Sequence, residues 1–324
     1  MSGRSLSKFL QIAIPLVLGV FLIWYIYQSF TPQQLAETQK YFADANYGFV
    51  LLSVALSVLS HLSRSYRWGF MLEPLGYRPK LANSFMAVSV AYLMNIFIPK
   101  SGEISRGIIL DKYEGVPFQK GFGTIISERV VDLLFLLFFT LLALAIKFDV
   151  LYDYVLESIP VSVLYLMLIG SIFMAISIPL YIKFSKSNIN KKLKNFVIGL
   201  KEGIFSIINM KKKSAFLFHT FLIWGLYLLS FYTALQALPE VSNIPFGTII
   251  TAFVVGSFTF AFTNSGFGTY PAAVAGILTV FGIAKTVGIA LGWIVWISNI
   301  SAIVFFGVLS LILLPLFNRK KPQL

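Results

Sequence analysis

Long apolar stretches dominate this sequence and restrict what it can fold into. A helix needs about 20 residues to cross the roughly 30 Å of hydrocarbon in a bilayer. Only 12% of the residues are charged, about half the fraction found in soluble domains. The sequence therefore predicts an all-α, polytopic transmembrane bundle and excludes a soluble globular enzyme. We predict six full spans: 9–27, 46–63, 121–146, 162–182, 214–237 and 286–315.

The first stretch follows Arg4 and Lys8, as the apolar part of a signal peptide does. However, its apolar run exceeds the 7–15 residues of a signal peptide, and no small-residue cleavage site follows it. We expect it to remain in place as a membrane anchor.

The charges of the loops predict the orientation, because Lys and Arg collect on the cytoplasmic side. The loops 28–45 and 147–161 contain more acidic than basic residues, which predicts an external position. The segment 183–213 contains nine lysines against one acidic residue, Glu202, and is predicted to be cytoplasmic. The same rule places both termini and the stretches 64–80 and 99–120 in the cytoplasm. The basic residues of 64–80 are Arg64, Arg67, Arg78 and Lys80.

Two further apolar regions, 81–119 and 245–283, are interrupted by Gly, Pro or charged residues. If 81–98 crossed the membrane, the basic segment after it would lie outside, against its charge. We therefore predict that 81–119 is a re-entrant helical hairpin entering from the cytoplasm, and that 245–283 is a second hairpin entering from the opposite side. The alternative is a bundle of eight to nine ordinary spans.

These elements form one predicted transmembrane domain, 1–324. Its first half, 1–161, contains the first hairpin, and its second half, 162–324, contains the second hairpin and the basic loop. No internal sequence repeat relates the halves. Interrupted helices in corresponding positions of two halves nevertheless indicate the binding site of a transporter.

The first group of candidate site residues lies at the tip of the first hairpin. Gly102 permits a tight turn, and Ser101 can cap the helix that follows. Glu103 and Arg106 are three residues apart, so they can pair on one helix face. One interpretation is a capped helix start with a surface ion pair. In the other, Lys100 and Arg106 bind a lipid phosphate.

The second group, Glu128, Arg129 and Asp132, lies within an apolar run. A charge at the bilayer centre costs at least about 2.5 kcal/mol, so these side chains should pair and face a polar cavity. Arg129 can pair with Asp132, and Glu128 shares the helix face of Asp132. Alternatively, the span begins at 130 and leaves Glu128 and Arg129 at the cytoplasmic interface.

The third group is a polar, Gly-rich break in the second hairpin. Such a break exposes backbone N–H groups at the start of the next helix, where an anion can bind. The alternative is an ordinary interhelical turn. With Gly102 from the first hairpin, the candidate backbone positions are Asn264, Ser265, Gly266, Gly268 and Pro271.

Other chemistry has little support in the sequence. The absence of cysteine excludes disulfides, thiol catalysis and iron–sulfur clusters. The two histidines, His61 and His219, have no metal-ligand spacing, so we expect neither a metal nor a cofactor. The net charge of +13 is typical of loops that orient a membrane protein, and we expect no nucleic-acid partner.

Four motifs recur in a recognisable order. They are the RWxxxL-like stretch at 67–72, IPxxxGExxR at 98–106, ERxxDL at 128–133 and the Gly-rich break before Pro271. Together they resemble the lysylphosphatidylglycerol synthase transmembrane family, also described as flippase-like integral membrane proteins. The resemblance covers nearly the whole chain.

The resemblance implies a multi-pass protein of the bacterial inner membrane that moves a lipid or works beside an enzyme that makes one. In the bifunctional synthases, the membrane region is the flippase part, and aminoacyl transfer belongs to a separate soluble domain. We expect that domain to be absent here. By analogy, the candidates for the lipid headgroup path are Glu103, Arg106, Glu128, Arg129 and Asp132.

The main hypothesis is therefore a transporter of anionic or phosphate-bearing membrane lipids. Arg106, Arg129 and Lys100 would bind the phosphate, while the nearby carboxylates orient them or titrate. One alternative is a non-catalytic membrane partner of a lipid-modifying enzyme. The other is a membrane-embedded lipid enzyme, for which the sequence offers few catalytic groups.

Overall fold

The computed structural model describes residues 27–150, 210–263 and 265–318, together with Phe21, Trp24, Tyr25 and Tyr152. All regular structure in these residues is helical. In chain order the helices are α1 (Pro32–Asp44), α2 (Tyr47–Leu72), α3 (Leu81–Phe97), α4 (Ser101–Glu114), α5 (Phe118–Ile146), α6 (Lys213–Leu235), α7 (Pro239–Ser242), α8 (Phe246–Phe262), α9 (Thr269–Val280) and α10 (Lys285–Phe317). A short 3-10 turn, Glu73–Leu75, follows α2.

Four helices, α2, α5, α6 and α10, are long and apolar enough to cross a membrane. They confirm the spans predicted from the second, third, fifth and sixth apolar stretches. The predicted span 162–182 lies outside the described residues, as does nearly all of 9–27.

The helix that contains the second predicted span is longer than that span. The helix α2 continues past 63 to Leu72, so Arg64 and Arg67 of the stretch 64–80 lie within it. Both side chains are buried. The helix tolerates them because carboxylates on α5 neutralise their charge, which the local sequence does not reveal.

Both predicted hairpin regions contain two short helices separated by a break. The pair α3 and α4 flanks residues 98–100, and the pair α8 and α9 flanks residues 263–268. The longest of these helices has 17 residues, which is about 25 Å and short of a full crossing. The two hairpins contact each other near their breaks, because Lys100 Nζ in the first break donates to the carbonyl of Ala261, near the end of α8, at 3.2 Å. The entry of each hairpin from an opposite side of the membrane stays a prediction.

The two halves of the described chain repeat one order of helices. In each half a long helix is followed by two short ones and a second long one, as α2–α3–α4–α5 and as α6–α8–α9–α10, with the four-residue α7 inserted. The two first helices pack antiparallel, since Ser53 bonds Ser230 at one end and Arg67 bonds Thr220 towards the other. In addition, α3 packs on α10 and α8 packs on α5. An exchange of contacts between two halves whose first helices are antiparallel is what an inverted repeat predicts.

The first break is built differently from its prediction. Lys100, not Gly102, takes the left-handed conformation, with φ of 63°. Gly102 is instead required for close packing, because a Cβ there would lie 2.2 Å from the Ala91 carbonyl oxygen. Ser101 does not cap α4. Its hydroxyl bonds carbonyls at the end of α3, while Asn95 Oδ1 accepts the Gly102 N–H at 2.8 Å.

Candidate functional site

Seven charged side chains meet inside the described bundle, on α2, α4 and α5; we call them the charge cluster. Four guanidinium groups face three carboxylates, so the cluster has one positive charge in excess. Buried ionic groups in a membrane protein are costly and typically mark functional sites. The members are Arg64, Arg67, Glu103, Arg106, Glu128, Arg129 and Asp132.

Glu128 lies at the centre of the charge cluster and is fully buried. Its Oε1 accepts from Arg64 Nη1 at 2.5 Å and lies 3.4 Å from Arg67 Nη2, and its Oε2 accepts from Arg106 Nη2 at 2.8 Å. An ionised carboxylate has room for several donors, so one side chain can join α2, α4 and α5.

Asp132, one helical turn after Glu128, holds the same two arginines of α2. Its oxygens accept from Arg64 at 2.6 Å and from Arg67 at 3.0 Å. Arg129 Nη1 reaches the same carboxylate at 3.5 Å. The two carboxylates of α5 therefore fix Arg64 and Arg67 from adjacent turns, as residues four apart on one face can do.

Aromatic and hydroxyl side chains complete the setting of the buried arginines. The Arg106 guanidinium lies 3.7 Å from the ring centroid of Trp68, and Trp68 Nε1 donates to Thr124 at 2.9 Å. Arg67 Nη1 donates to Thr220 of α6 at 3.0 Å. Stacking on an aromatic face stabilises a desolvated guanidinium. These contacts hold the arginines in fixed orientations.

Arg129 differs from the other three arginines. Its side chain is 38% exposed, while those of Arg64, Arg67 and Arg106 are buried. Its Nε lies 3.1 Å from Glu103 Oε1, but the N–H does not point at that oxygen and makes no hydrogen bond within the described residues. Its bond to Asp132 is long. Arg129 is therefore the guanidinium least committed to protein partners.

Unused donors are a second feature of the charge cluster. Within the described part of the chain, the Nε of each of the four arginines is buried and makes no hydrogen bond. Buried polar groups in folded proteins are nearly always hydrogen-bonded, so four such donors in one cluster are unusual. The cluster has spare hydrogen-bond donors as well as spare positive charge, and both suit an anion.

The charge cluster lies at one depth in the bundle. Arg64 is eight residues before the end of α2, Arg106 is eight before the end of α4, and Glu128 is ten after the start of α5. These separations correspond to about 12–15 Å along each helix. The three helix ends belong to the face whose basic residues predict a cytoplasmic position, including Arg78 and Lys120. The charge cluster therefore lies more than two helical turns inside the ends of these three helices.

The structure brings together five of the six charged residues predicted as a headgroup path. Lys100 lies apart and bonds a carbonyl of the second hairpin. Glu103 and Arg106 do not pair with each other; Glu103 faces Arg129, and Arg106 bonds Glu128. Both partners lie on α5, because the two helices pack side by side and present opposite charges.

The Gly-rich break of the second hairpin has a left-handed backbone at Ser265, Gly266 and Gly268. Trp296 Nε1 donates to the Ser265 carbonyl at 2.8 Å and fixes the break against α10. The Tyr270 N–H bonds the Gly266 carbonyl, and Pro271 has no N–H. The predicted backbone anion site at this break stays a prediction, and Asn264 lies outside the described residues.

Sequence reasoning missed the contribution of α2. The charge rule predicts only that Arg64 and Arg67 belong to a cytoplasmic stretch, 64–80, although a pattern places them on a helix face. Polar residues spaced three or four apart share one face of a helix and predict that it is buried against a polar partner. In α2 these residues are Ser53, Ser57, Ser60, Arg64 and Arg67, and all five are buried.

A comparison with protein families finds a match over most of the chain. The family described as the lysylphosphatidylglycerol synthase transmembrane region matches residues 12–307. The chain belongs to this family. The sequence motifs at 98–106 and 128–133 form the α4 and α5 sides of the charge cluster. The stretch at 67–72 begins with Arg67, one of the two α2 arginines of the cluster.

Three curated proteins are similar to parts of this family member. A UPF0104 membrane protein of Methanocaldococcus jannaschii is 34% identical over 105 residues, which is 32% of this chain and 31% of that protein. A UPF0104 membrane protein of Pyrococcus horikoshii is 23% identical over 252 residues, or 70% of this chain and 73% of that protein. The glycosyltransferase AglD of Haloferax volcanii is 28% identical over 100 residues, or 31% of this chain and 16% of the enzyme. These relatives are archaeal. No solved structure matches the chain.

Proposed function

We propose that this protein moves a phosphate-bearing lipid across the membrane and that the charge cluster binds the phosphate of the headgroup. The observation that supports this most directly is Arg129. It is half-exposed, weakly paired and part of a cluster with one positive charge in excess. Guanidinium groups bind phosphate through paired N–H donors, so Arg129 is suited to be the first contact.

Binding would proceed by exchange of partners at Arg129. The phosphate takes the place of Glu103, whose Oε2 is buried without a hydrogen bond in the described residues. Arg64, Arg67 and Arg106 keep their bonds to Glu128 and Asp132 and contribute a fixed positive field. Only the headgroup needs this polar setting, because the acyl chains stay in the lipid.

The two hairpins are the proposed moving parts. Each break bonds the helix end of the other hairpin: Lys100 bonds Ala261 of α8, and the Ser265 hydroxyl bonds the Asn95 carbonyl of α3 at 3.4 Å. Two hydrogen bonds of this kind can be exchanged for others at modest cost. In transporters built from inverted repeats, one repeat moves against the other around a site at their interface. Separation of the two breaks would expose the charge cluster to the opposite leaflet.

A second candidate function is that of a membrane partner for a lipid-modifying enzyme. The similarity to 100 residues of the glycosyltransferase AglD favours it, since a related stretch occurs in that enzyme. Co-purification with a stoichiometric enzyme, together with no lipid movement by the protein alone, would support this function.

The test is lipid movement by the purified protein in liposomes that contain fluorescent phosphatidic acid and zwitterionic lipid analogues. We expect the protein to move the anionic lipid. Arg129→Ala should lower that rate about 10- to 100-fold, the effect of losing a charge-assisted hydrogen bond. The control is Arg78→Ala, because Arg78 is exposed and pairs only with Glu73 among the described residues. Normal transport by Arg129→Ala would contradict the proposal.

We propose also that both termini and the basic ends of α2, α4 and α5 face the cytoplasm. Because the chain has no cysteine, single cysteines can report the side of each loop. In intact cells, an impermeant thiol reagent should label Ser242→Cys, at the end of α7, and should not label Arg78→Cys. The reverse labelling pattern would invert the proposed orientation.

A further inference from the structure

A set of long polar contacts lies along one edge of the charge cluster. The hydroxyl of Tyr227 on α6 accepts from Arg64 Nη2 at 3.5 Å, and it lies 3.4 Å from the hydroxyl of Tyr92 on α3. The bond from Arg129 to Asp132 is also 3.5 Å long. Hydrogen bonds between such groups are usually about 2.7–3.2 Å long, as they are at the centre of the cluster. The groups on this edge are therefore weakly committed to one another.

The rings of the two tyrosines, by contrast, are fixed by packing. The ring of His61 stacks on that of Tyr92, with centroids 4.4 Å apart. The ring of Trp224 packs edge-on against that of Tyr227, with centroids 6.2 Å apart. Tyr92 also lies close enough to Arg129 for an electrostatic interaction. Two hydroxyls on well-packed rings are thus placed beside guanidinium groups of the cluster.

The two hydroxyls have more donors than acceptors around them. Together they carry two protons, and the contact between them uses one. Arg64 has only donors, and the nearby hydroxyl of Ser60 donates to the Ser57 carbonyl at 2.6 Å. Among the described residues, one phenolic proton is therefore left without an acceptor. An unused O–H donor beside guanidinium groups suits an oxyanion.

A phosphate has the acceptors that this edge needs. Its free oxygens carry negative charge, and each can accept more than one hydrogen bond. A tyrosine hydroxyl supplies a donor without adding to the positive charge of the cluster. Arg129, Tyr92 and Tyr227 are all partly exposed, so a headgroup can reach them. An acyl chain has no acceptor and would leave these donors unused.

We propose that Tyr92 and Tyr227 bind the lipid phosphate together with Arg129, each donating its hydroxyl proton to a phosphate oxygen. This inference rests on the proposed function and adds two ligands to the same site. Binding breaks the long contact between the two hydroxyls and replaces it with two bonds to the phosphate. Tyr92 belongs to the first hairpin and Tyr227 to the second half of the chain, so the bound phosphate joins the two halves.

A site shared by the two halves makes phosphate binding depend on their relative position. A ligand shifts a conformational equilibrium only by the difference in its affinity for the two states. When α3 moves away from α6, Tyr92 and Tyr227 cannot both reach one phosphate, so one of these bonds is lost. The two tyrosines therefore give the lipid a preference for one conformation.

Conservative variants test the two hydroxyls. Tyr92→Phe and Tyr227→Phe keep the rings and remove only the donors. Native mass spectrometry of the detergent-purified protein measures its affinity for phosphatidic acid and for diacylglycerol, which has the same tails and no phosphate. Each variant should bind phosphatidic acid about tenfold more weakly, the effect of one hydrogen bond to a charged group, and diacylglycerol unchanged. The matched control is Tyr232→Phe, because Tyr232 also lies on α6, is exposed and makes no hydrogen bond among the described residues.

The double variant distinguishes two phosphate ligands from a pair that serves only itself. If each hydroxyl donates to the phosphate, the two losses add to about 100-fold. If the hydroxyls bond only each other, the double variant binds like either single variant. Tyr92 has no hydrogen bond to the charge cluster, so its variant leaves the guanidinium groups in place. Unchanged affinity in Tyr92→Phe, a double variant no weaker than the single ones, or equal loss of both lipids would overturn the proposal.

Two further comparisons separate this inference from the proposed function. If Arg129→Ala loses phosphatidic acid and the tyrosine variants retain it, the headgroup site stands and the tyrosines are not part of it. If the tyrosine variants lose phosphatidic acid but the unchanged protein moves no lipid in liposomes, the tyrosine ligands stand and the transporter is rejected. No binding of phosphatidic acid by the unchanged protein would overturn both.

Discussion

In the first hairpin, α4 carries Glu103 and Arg106 into the charge cluster, whereas the second hairpin has no charged residue between 246 and 280. The two hairpins nevertheless have similar lengths and corresponding places in the two halves. The comparison shows that a repeated backbone architecture does not require repeated chemistry. Among the described residues, the buried charged side chains lie in the first half, and the second hairpin contributes apolar packing.

The way in which each hairpin is held differs accordingly. In the second hairpin, α9 approaches α10 backbone to backbone, since a Cβ on Gly292 would lie 2.6 Å from Pro271 Cα. In the first hairpin, α4 is joined to α5 through the ion pair of Arg106 with Glu128. Close backbone packing thus holds the second hairpin, whereas an ion pair holds the first. An ion pair is easier to rearrange when a charged ligand arrives.

The largest expected effect comes from removing the charge that holds the first hairpin. Glu128→Ala leaves Arg64, Arg67 and Arg106 buried with too few carboxylates, which should cost about 3–5 kcal/mol of stability. The thermal unfolding midpoint in detergent measures this. The control Glu240→Ala, at an exposed position in α7, should change the midpoint little. An unchanged midpoint for Glu128→Ala would mean that charge does not hold the first hairpin.

Glycine substitutions test the packing of both hairpins. Gly292→Ala and Gly102→Ala each place a methyl group against backbone atoms, which should cost about 1–3 kcal/mol. Gly276→Ala in α9 and Gly123→Ala in α5 are the controls, because nothing lies within 4 Å of an added Cβ at either position. They should be neutral or slightly stabilising. Equal effects at all four positions would remove the packing argument.

The smallest expected effect concerns the contact between the hairpins. Lys100→Met removes the bond to the Ala261 carbonyl and should cost about 0.5–1.5 kcal/mol of stability. Transport should fall less than in Arg129→Ala, because Lys100 lies outside the charge cluster. A loss of transport as large as that of Arg129→Ala would instead make Lys100 a headgroup ligand, as the sequence analysis predicts.

Much of the fold could be predicted from the sequence because apolar runs report membrane spans directly. The end of α2 could not be predicted, because Arg64 and Arg67 look like loop residues until their partners on α5 are known. Those partners, Glu128 and Asp132, follow them by more than sixty residues. Contacts between distant helices depend on tertiary packing, which a single sequence does not encode locally.

Part of the candidate site could be predicted from the same apolar runs. Charges inside an apolar run, such as Glu128 and Asp132, stand out as expensive and therefore as functional candidates. The sequence predicts two hairpins in corresponding positions of the two halves, but it shows no repeated residues, because the second hairpin lacks the charged residues of the first. Tyr227 and Thr220 could not be selected either, since hydroxyl groups occur throughout the sequence and only packing brings these two to the arginines.

If Arg129 exchanges Glu103 for the phosphate of a lipid, the two side chains should affect lipid binding in opposite directions. The most direct measurement is the affinity of the purified protein for phosphatidic acid in Arg129→Ala and in Glu103→Gln. We expect about 10- to 100-fold weaker binding without the guanidinium and tighter binding without the competing carboxylate. Weaker binding in both variants, or no change in either, would contradict the exchange at Arg129.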